Sequence, residues 1–134
     1  LYMLQWKRTT GLLGALLGLS GIMLGAWAAH GLEHLVSPEK VDSFKTAVWY
    51  QQWHALALVV FALGIPQAHR LIRWSVRFML LGWLFFSVSI YALVLAPVWG
   101  MNLSFLGPIT PLGGLSFMVA WGLLAWYFFK ARNA

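Results

Sequence analysis

The chain has 134 residues, of which 61% are hydrophobic and 9% are charged. Soluble globular domains carry about 25% charged residues, so this composition excludes an ordinary soluble domain and predicts an integral membrane protein. The sequence has no cysteine, which excludes disulfide bonds and thiolate-ligated metal sites within it. A net charge of +6 could suggest nucleic acid as a partner, but the distribution of the charges along the chain argues against it.

Four apolar stretches without Asp, Glu, Lys or Arg predict four transmembrane helices. At about 1.5 Å per residue, a helix of roughly 20 residues crosses the hydrocarbon core of a bilayer. We therefore predict an all-α fold, an integral membrane four-helix bundle, with one domain over residues 1–134. The predicted spans are residues 9–29, 47–65, 78–96 and 111–129, and an amphipathic surface helix at about residues 38–46 leads into the second span.

Basic residues flank these stretches mostly on one side of the predicted bundle. That side carries Lys7, Arg8, Arg70, Arg73, Arg77, Lys130 and Arg132. The other side carries Lys40 and Lys45 together with the acidic residues Glu33, Glu39 and Asp42. Under the positive-inside rule, this asymmetry places both termini in the cytoplasm. We expect the bacterial inner (cytoplasmic) membrane, with the mitochondrial inner membrane as the alternative.

The predicted connection between the second and third spans carries Arg70, Arg73 and Arg77 at spacings of 3 and 4. This spacing places the three side chains on one face of a helix. We predict that the face anchors the chain to anionic lipids, and docking of a specific partner is the alternative. The expected partners are the lipid bilayer and other membrane-protein subunits or further copies of the chain, and no nucleic acid is expected.

Glycines form a stripe along the first predicted span, with successive gaps of 3, 4, 3 and 4 residues. Glycine inside a helix costs about 1 kcal/mol relative to alanine in water, so such a stripe needs a structural reason. In a bilayer, small residues let helix backbones approach closely, as in GxxxG pairs. We predict helix packing at Gly11, Gly14, Gly18, Gly21 and Gly25, and again at Gly113 and Gly114 in the last span.

Polar side chains gather toward the outer half of the predicted bundle. Because burying an ionisable residue in a membrane is costly, such a residue is a functional hypothesis by default. A neutral histidine that hydrogen-bonds across the bundle is the structural alternative. We predict that these groups satisfy one another and that His54 is neutral. The candidate ligand-binding or polar cluster consists of His30, Gln51, His54, Ser87 and Ser89, with Tyr91 also close enough to contribute.

Residues 30–34 match the H-x-x-E-H pattern of a zinc metalloprotease, but Gly31 disfavours the continuous helix that this site requires. A metal site or a bis-histidine haem formed by His30 or His34 with His54 remains open at this stage. No catalytic set, phosphate-binding loop or intramembrane carboxylate is visible. The sequence therefore predicts no catalytic residue, no resident metal and no cofactor.

Four segments occur in an order that resembles the DUF423 family, also called UPF0382. They are Gly25–Leu32, Phe44–Leu56, Phe86–Tyr91 and Ile109–Gly114, and the resemblance extends from about Gly11 to Leu124. The chain departs from the family pattern at Trp27 and Val88, neither of which belongs to the polar set. The resemblance implies a small four-span membrane protein of the bacterial inner or mitochondrial membrane, and it implies no biochemical activity.

Two functions remain open on these observations. The first is a non-catalytic bundle, either an accessory or assembly subunit of a larger membrane complex or a homo-oligomer. It is favoured by the glycine stripe and by the missing catalytic set. The alternative is a binder or conductor of a small molecule, such as a quinone-like or lipid-like ligand or a small solute, through the outer polar cluster.

Overall fold

The computed structural model describes residues 1–64 and 69–132, and within them the regular structure is entirely helical. Ile65, the last residue of the second predicted span, lies outside the described residues. The helices are α1 (Tyr2–His30), α2 (Pro38–Gly64), α3 (Arg70–Gly82), a π-helical segment (Trp83–Val88), α4 (Ser89–Leu95) and α5 (Ile109–Arg132). Short 3-10 turns at Leu32–His34, Ala96–Trp99 and Ser104–Leu106 complete the described chain.

Three of the four predicted spans lie in helices that are long and apolar enough to cross a membrane. These helical stretches are Leu4–His30, Arg70–Trp99 and Ser104–Ala131. The second predicted span lies in α2, and the described part of that helix, Pro38–Gly64, is not among them. Gln51 and His54 are buried inside the bundle, so α2 keeps these polar groups away from its surroundings.

Helix α2 begins at Pro38 and continues without interruption through the segment in which the sequence predicts a surface helix. Proline is favoured in the first helical turn because its missing N–H would be unpaired there in any case. The backbone N–H groups of Lys40 and Val41 donate to the Ser37 carbonyl oxygen at 3.0 Å. A hydrogen bond from its own backbone N–H, and a second from the Ser37 hydroxyl, lower the pKa of the exposed Glu39 carboxyl.

The four long helices pack as two pairs joined in the middle. α1 packs along α2, and α3 together with the π-helical segment packs along α5. α2 also contacts the π-helical segment and α4, which connects the two pairs. One apolar core brings together Leu17, Leu58, Met79 and Ala120, one from each of the four long helices. A second core around Phe44 and Leu32 closes the end of the bundle that carries the first connection.

The glycine stripe of α1 faces α2 at four of its five positions. A methyl group at Gly14 would lie 2.9 Å from the Ala55 carbonyl oxygen, so the two backbones meet there. The contacts at Gly11 and Gly25 are looser, at 3.2 and 3.3 Å, and Gly21 contacts the side-chain amide of Gln52.

Gly18 is the exception in this stripe, since a methyl group there would meet no described atom within 4 Å. The Gln52 amide donates to the Gly18 carbonyl oxygen at 3.0 Å and leaves the space beside the Gly18 Cα open. Within the chain, Gly18 therefore takes no part in the predicted close helix packing.

A second close backbone contact joins α5 to the π-helical segment. A methyl group at Gly113 would clash with the backbone nitrogen of Phe86 and lie 2.6 Å from the Phe85 carbonyl carbon. At Gly114 the nearest atom would be 3.9 Å away, which is an ordinary contact, so only the first of the two predicted packing glycines is required by space. Gly82 is a further tight position, where a methyl group would lie 2.5 Å from the Phe117 ring.

The π-helical segment interrupts the regular backbone hydrogen bonds of the third span. The Ser89 side chain provides a hydrogen-bond partner for two of the carbonyl groups in this segment. Its hydroxyl lies 2.5 Å from the Phe85 carbonyl oxygen and 2.9 Å from that of Phe86. It also shares a hydrogen bond of 2.7 Å with the Thr110 hydroxyl on α5. In a bilayer, carbonyl groups that leave the regular helix pattern need such partners, because no water is available to them.

Candidate functional site

The side-chain amide of Gln51 lies at the centre of the bundle, where 1% of the residue is exposed. Its nitrogen Nε2 donates to the Leu17 carbonyl oxygen at 2.9 Å and to the Ser20 hydroxyl at 2.9 Å. A glutamine amide carries two donor hydrogens, so both are used by α1.

The oxygen of the same amide is used by the third span. Gln51 Oε1 accepts from the indole nitrogen of Trp83 at 2.9 Å and from the Tyr91 hydroxyl at 2.9 Å. Trp83 is the first residue of the π-helical segment, and Tyr91 lies on α4 beyond its end. With two donated and two accepted bonds, the amide is fully satisfied and connects α1, α2 and the third span.

The His54 side chain, one turn further along α2, is also fully paired. Its Nδ1 lies 2.6 Å from the Tyr50 carbonyl oxygen, and its Nε2 lies 3.0 Å from the indole nitrogen of Trp121. An indole N–H can only donate, so Nε2 accepts and Nδ1 carries the proton of a neutral ring. The ring stacks on Phe117 with centroids 3.7 Å apart and an angle of 15° between the planes. This geometry places no free ring nitrogen in the bundle interior.

The predicted serines each join another helix. The Ser87 hydroxyl donates to the Ala47 carbonyl oxygen of α2 at 2.8 Å, and the Ser89 hydroxyl shares a hydrogen bond with the Thr110 hydroxyl of α5. Two serines that the sequence does not single out also donate to backbone carbonyl groups of another helix. Ser75 donates to the Ala120 carbonyl oxygen and Ser116 donates to that of Phe78, each at 2.8 Å, so two reciprocal bonds join α3 and α5.

His30 does not join this cluster, contrary to the expectation from the sequence. It is the last residue of α1 and is exposed, whereas Gln51 and His54 are buried. The helix ends there because Gly31 leaves the helical conformation, with φ −129°, and the His30 side chain is exposed. The predicted convergence of His30 with the other polar groups is therefore corrected.

The H-x-x-E-H segment forms no two-histidine helical face. Its residues after Gly31 lie in a 3-10 turn, where the exposed side chains of His34 and Glu33 are 3.8 Å apart. Within residues 1–64 and 69–132, no three His, Asp or Glu side chains come together in a way that could hold a metal ion. The described residues thus offer no three-residue donor set for zinc. For the haem alternative, which needs two histidines, both ring nitrogens of His54 are already hydrogen-bonded within the bundle.

Gln52 is a further polar residue, which was not among the groups predicted from the sequence. It is half-buried on the outer side of the α1–α2 pair, and its Nε2 donates to the Gly18 carbonyl oxygen at 3.0 Å. Its Oε1 accepts no hydrogen bond from any residue that the structure describes. The adjacent glutamines therefore differ: Gln51 is saturated by the bundle, and Gln52 keeps an acceptor at the outer surface. Their positions on neighbouring faces of a helix were readable from the sequence, but which face points inward was not.

Two shallow cavities flank Gln52 along the outer groove between α1 and α2. One, of about 360 Å³, lies beside Gly21 and Gly25 and reaches Lys45 at its end. The other, of about 250 Å³, lies beside Gly14 and Gly18. Gln52 lines both cavities, so they form one continuous surface, which we call the α1–α2 groove.

The three arginines of the predicted basic face lie on α3. Arg70 and Arg77 are exposed, and Arg73 is half-buried. The Arg77 guanidinium lies over the Trp74 ring at 4.8 Å, which is a cation–π contact on the helix surface. Their role in lipid anchoring stays a prediction.

Comparison with known proteins gives consistent similarities. Residues 24–114 match the family DUF423, described as a protein of unknown function. A UPF0382 membrane protein of Haemophilus influenzae is 35% identical over 123 residues, which cover 89% of this chain and 92% of that protein.

Relatives also occur outside the proteobacteria. The UPF0382 membrane protein YwdK of Bacillus subtilis is 35% identical over 112 residues, covering 82% of this chain and 87% of that protein. The UPF0382 membrane protein C1782.12c of Schizosaccharomyces pombe is 35% identical over 111 residues, covering 82% of this chain and 92% of that protein. No solved structure matches the chain significantly.

The two neighbouring glutamines provide a test of the buried network. Gln51→Leu removes four hydrogen bonds and Gln52→Leu removes one. Interhelical hydrogen bonds in membranes contribute about 0.6 kcal/mol each, so we expect Gln51→Leu to lower the unfolding free energy by about 2 kcal/mol and Gln52→Leu by about 0.6 kcal/mol. The measurement is unfolding by a denaturing detergent in dilute mixed micelles. Equal destabilisation by the two variants would contradict the network.

Proposed function

The chain belongs to the DUF423 family of UPF0382 membrane proteins, and from this premise we propose that it is a non-catalytic subunit of a membrane assembly. The observation that carries the proposal is the contrast between the two glutamines. The buried amide of Gln51 uses all of its hydrogen-bonding capacity within the bundle, and that of Gln52 keeps an acceptor in the outer groove. The polar groups that stay available thus lie where another transmembrane helix could reach them.

The paired interior weighs against catalysis or conduction through the bundle. A general base needs a free ring nitrogen or carboxylate within reach of a substrate. Both nitrogens of His54 are hydrogen-bonded to other groups of the bundle, and its ring is covered by Phe117. A binder of a quinone-like ligand or small solute at this cluster would first have to displace Trp121 or Trp83. The alternative function of ligand binding or conduction through the interior is therefore less well supported than assembly.

The α1–α2 groove is the surface through which we propose that association occurs, and its proposed occupant is a second copy of the chain. Gly18 leaves room for the backbone of an approaching helix, since no described atom lies within 4 Å of its added methyl position. In a two-fold dimer the same surface meets itself, and a residue close to the axis faces its own copy. We propose that Gln52 takes this position. An amide carries donors and an acceptor and is self-complementary. Such a pair would satisfy both Oε1 acceptors, and this favours a second copy over a chain that lacks a matching donor.

The proposed orientation follows from the charges. Lys7 and Arg8 near the start of α1, Arg70 at the start of α3 and Lys130 near the end of α5 are placed at one end of the bundle by the helix order. Under the positive-inside rule this end is cytoplasmic, which requires α2 to cross the membrane as a fourth span. The burial of Gln51 and His54 supports such a crossing, because it removes their polar groups from lipid. For bacterial members, the cytoplasmic membrane is the location that we propose.

Cysteine labelling tests this orientation. The sequence has no native cysteine, so single cysteines can be introduced at Lys7, Asp42 and Lys130 without a background signal. We expect an impermeant thiol reagent applied to intact cells to label the position of Asp42 and to leave the other two unlabelled until the membrane is permeabilised. Labelling of Lys7→Cys or Lys130→Cys in intact cells would contradict the orientation.

A pair of glycine variants separates assembly from folding. Gly14→Leu places a large side chain against the Ala55 backbone, so we expect it to unfold the bundle. Gly18→Leu extends into the open groove, so we expect it to keep the thermal stability of the single chain while blocking association. The measurement is native mass spectrometry from a mild detergent, in which the parent should appear as two copies of the 15.1 kDa chain and Gly18→Leu as one copy.

Three outcomes of this experiment count against the proposal. A parent chain that is monomeric in mild detergent and in lipid nanodiscs would contradict assembly. A folded Gly18→Leu variant that remains dimeric would remove the α1–α2 groove as the interface. Recovery of one copy bound to a different chain would contradict the homodimer, although the chain would still be a subunit of an assembly.

A further inference from the structure

The largest of the described cavities is lined by residues at the start of α3 and the end of α5, and it shares no lining residue with the α1–α2 groove. It has a volume of about 520 Å³ and lies where α3 begins and α5 ends. Its lining residues are His69, Arg70, Leu71, Trp74 and Lys130. Two basic side chains from different helices therefore meet at one cavity, which the spacing of basic residues along the sequence does not reveal.

We propose that this cavity binds the phosphate of one anionic phospholipid. The charge of the cavity is the first argument. Arg70 and Lys130 are both exposed cations, while the acidic side chains Glu33, Glu39 and Asp42 all lie in or near the first connection, at the opposite end of the bundle. An Arg guanidinium presents planar donors that match two phosphate oxygens, and a Lys ammonium adds a point charge with three donors.

His69, which also lines the cavity, supplies a third donor. It caps the start of α3, where its Nδ1 accepts from the Leu71 backbone N–H at 3.2 Å. Since Nδ1 acts as an acceptor, the proton of the neutral ring is on Nε2, which is then a donor. The ring packs against Tyr127 of α5 with centroids 5.1 Å apart, so it is held between the two helices that form the cavity.

The apolar part of the lining favours a lipid over a small free anion. Leu71 and Trp74 contribute apolar surface beside the cations, and tryptophan is typical of the membrane–water interface. A hydrated phosphate ion gains nothing from these side chains, whereas a phospholipid can place its glycerol backbone and the start of its acyl chains against them. Basic cavities of this kind between helices, at the cytoplasmic membrane surface, suit anionic headgroups.

The other arginines of α3 lie outside the cavity and provide a matched control. Arg77 lies over the Trp74 ring, and Arg73 is half-buried without lining the cavity. The double variants Arg70→Gln/Lys130→Gln and Arg73→Gln/Arg77→Gln remove the same charge from the same end of the bundle. If the attraction to the membrane surface is diffuse, both double variants should weaken lipid binding equally. If the site is defined, only Arg70→Gln/Lys130→Gln should weaken it.

The experiment measures thermal unfolding of the purified chain in a neutral detergent with added lipid. Because a ligand that binds only the folded state raises its stability, phosphatidylglycerol should raise the unfolding temperature of the parent, and phosphatidylcholine should not. We expect Arg70→Gln/Lys130→Gln to bind phosphatidylglycerol about 30-fold more weakly, from the loss of two interfacial charges. We expect Arg73→Gln/Arg77→Gln to stay within about threefold of the parent.

Equal weakening in both double variants would overturn the defined site, and no effect of phosphatidylglycerol on the parent would overturn lipid binding altogether. Inorganic phosphate is added in a separate arm, and stabilisation equal to that by phosphatidylglycerol would identify a free anion instead of a lipid. If the first double variant does not fold, the same comparison is made between the single variants Lys130→Gln and Arg73→Gln. The outcome is independent of the proposed dimer, whose interface lies on α1 and α2.

Discussion

The hydrogen-bonding requirement of a polar group in hydrocarbon is the constraint on which this bundle depends. A glutamine amide left unpaired there would cost several kcal/mol, so Gln51 can be buried only where two acceptors and two donors surround it. α1 provides a backbone carbonyl and the Ser20 hydroxyl, and the third span provides the Trp83 indole and the Tyr91 hydroxyl. These bonds fix the rotation of three helices relative to one another, and apolar packing alone would leave that rotation weakly defined.

The bundle also depends on the close approach of neighbouring helix backbones, because short hydrogen bonds between helices require it. The glycine at position 14 lets α1 reach the Ala55 backbone, and Gly113 lets α5 reach the backbone of Phe86. The second contact falls in the π-helical segment, which begins with Trp83 and is followed by Ser89. The irregular turn thus lies between the amide of Gln51 on one side and the glycine of α5 on the other. We infer that these two contacts hold it in place.

The helices and the burial of Gln51, His54, Ser87 and Ser89 follow from the sequence. The prediction that these groups satisfy one another was wrong for most of them, because, among their hydrogen bonds in the described residues, only the one between Gln51 and Tyr91 joins two members of the predicted set. Three features do not follow. His30 is exposed at the end of α1, Gly18 has open space beside it, and the indole groups of Trp83 and Trp121 point inward to acceptors. Each depends on how a helix is rotated about its axis. The periodicity of a sequence shows which residues share a helix face, but it does not show what that face packs against. The π-helical segment depends in the same way on contacts with other helices.

A double-mutant cycle between Gln51→Leu and Trp83→Phe tests this account most directly. It isolates the energy of the bond between the Gln51 Oε1 and the Trp83 indole nitrogen from the effects of each substitution alone. The unfolding free energies of the parent, both single variants and the double variant should give a coupling of roughly 0.6 kcal/mol, the average for interhelical hydrogen bonds in membranes, and at most about 1.7 kcal/mol. A coupling of zero would show that the amide does not hold the third span through Trp83 and would contradict the account.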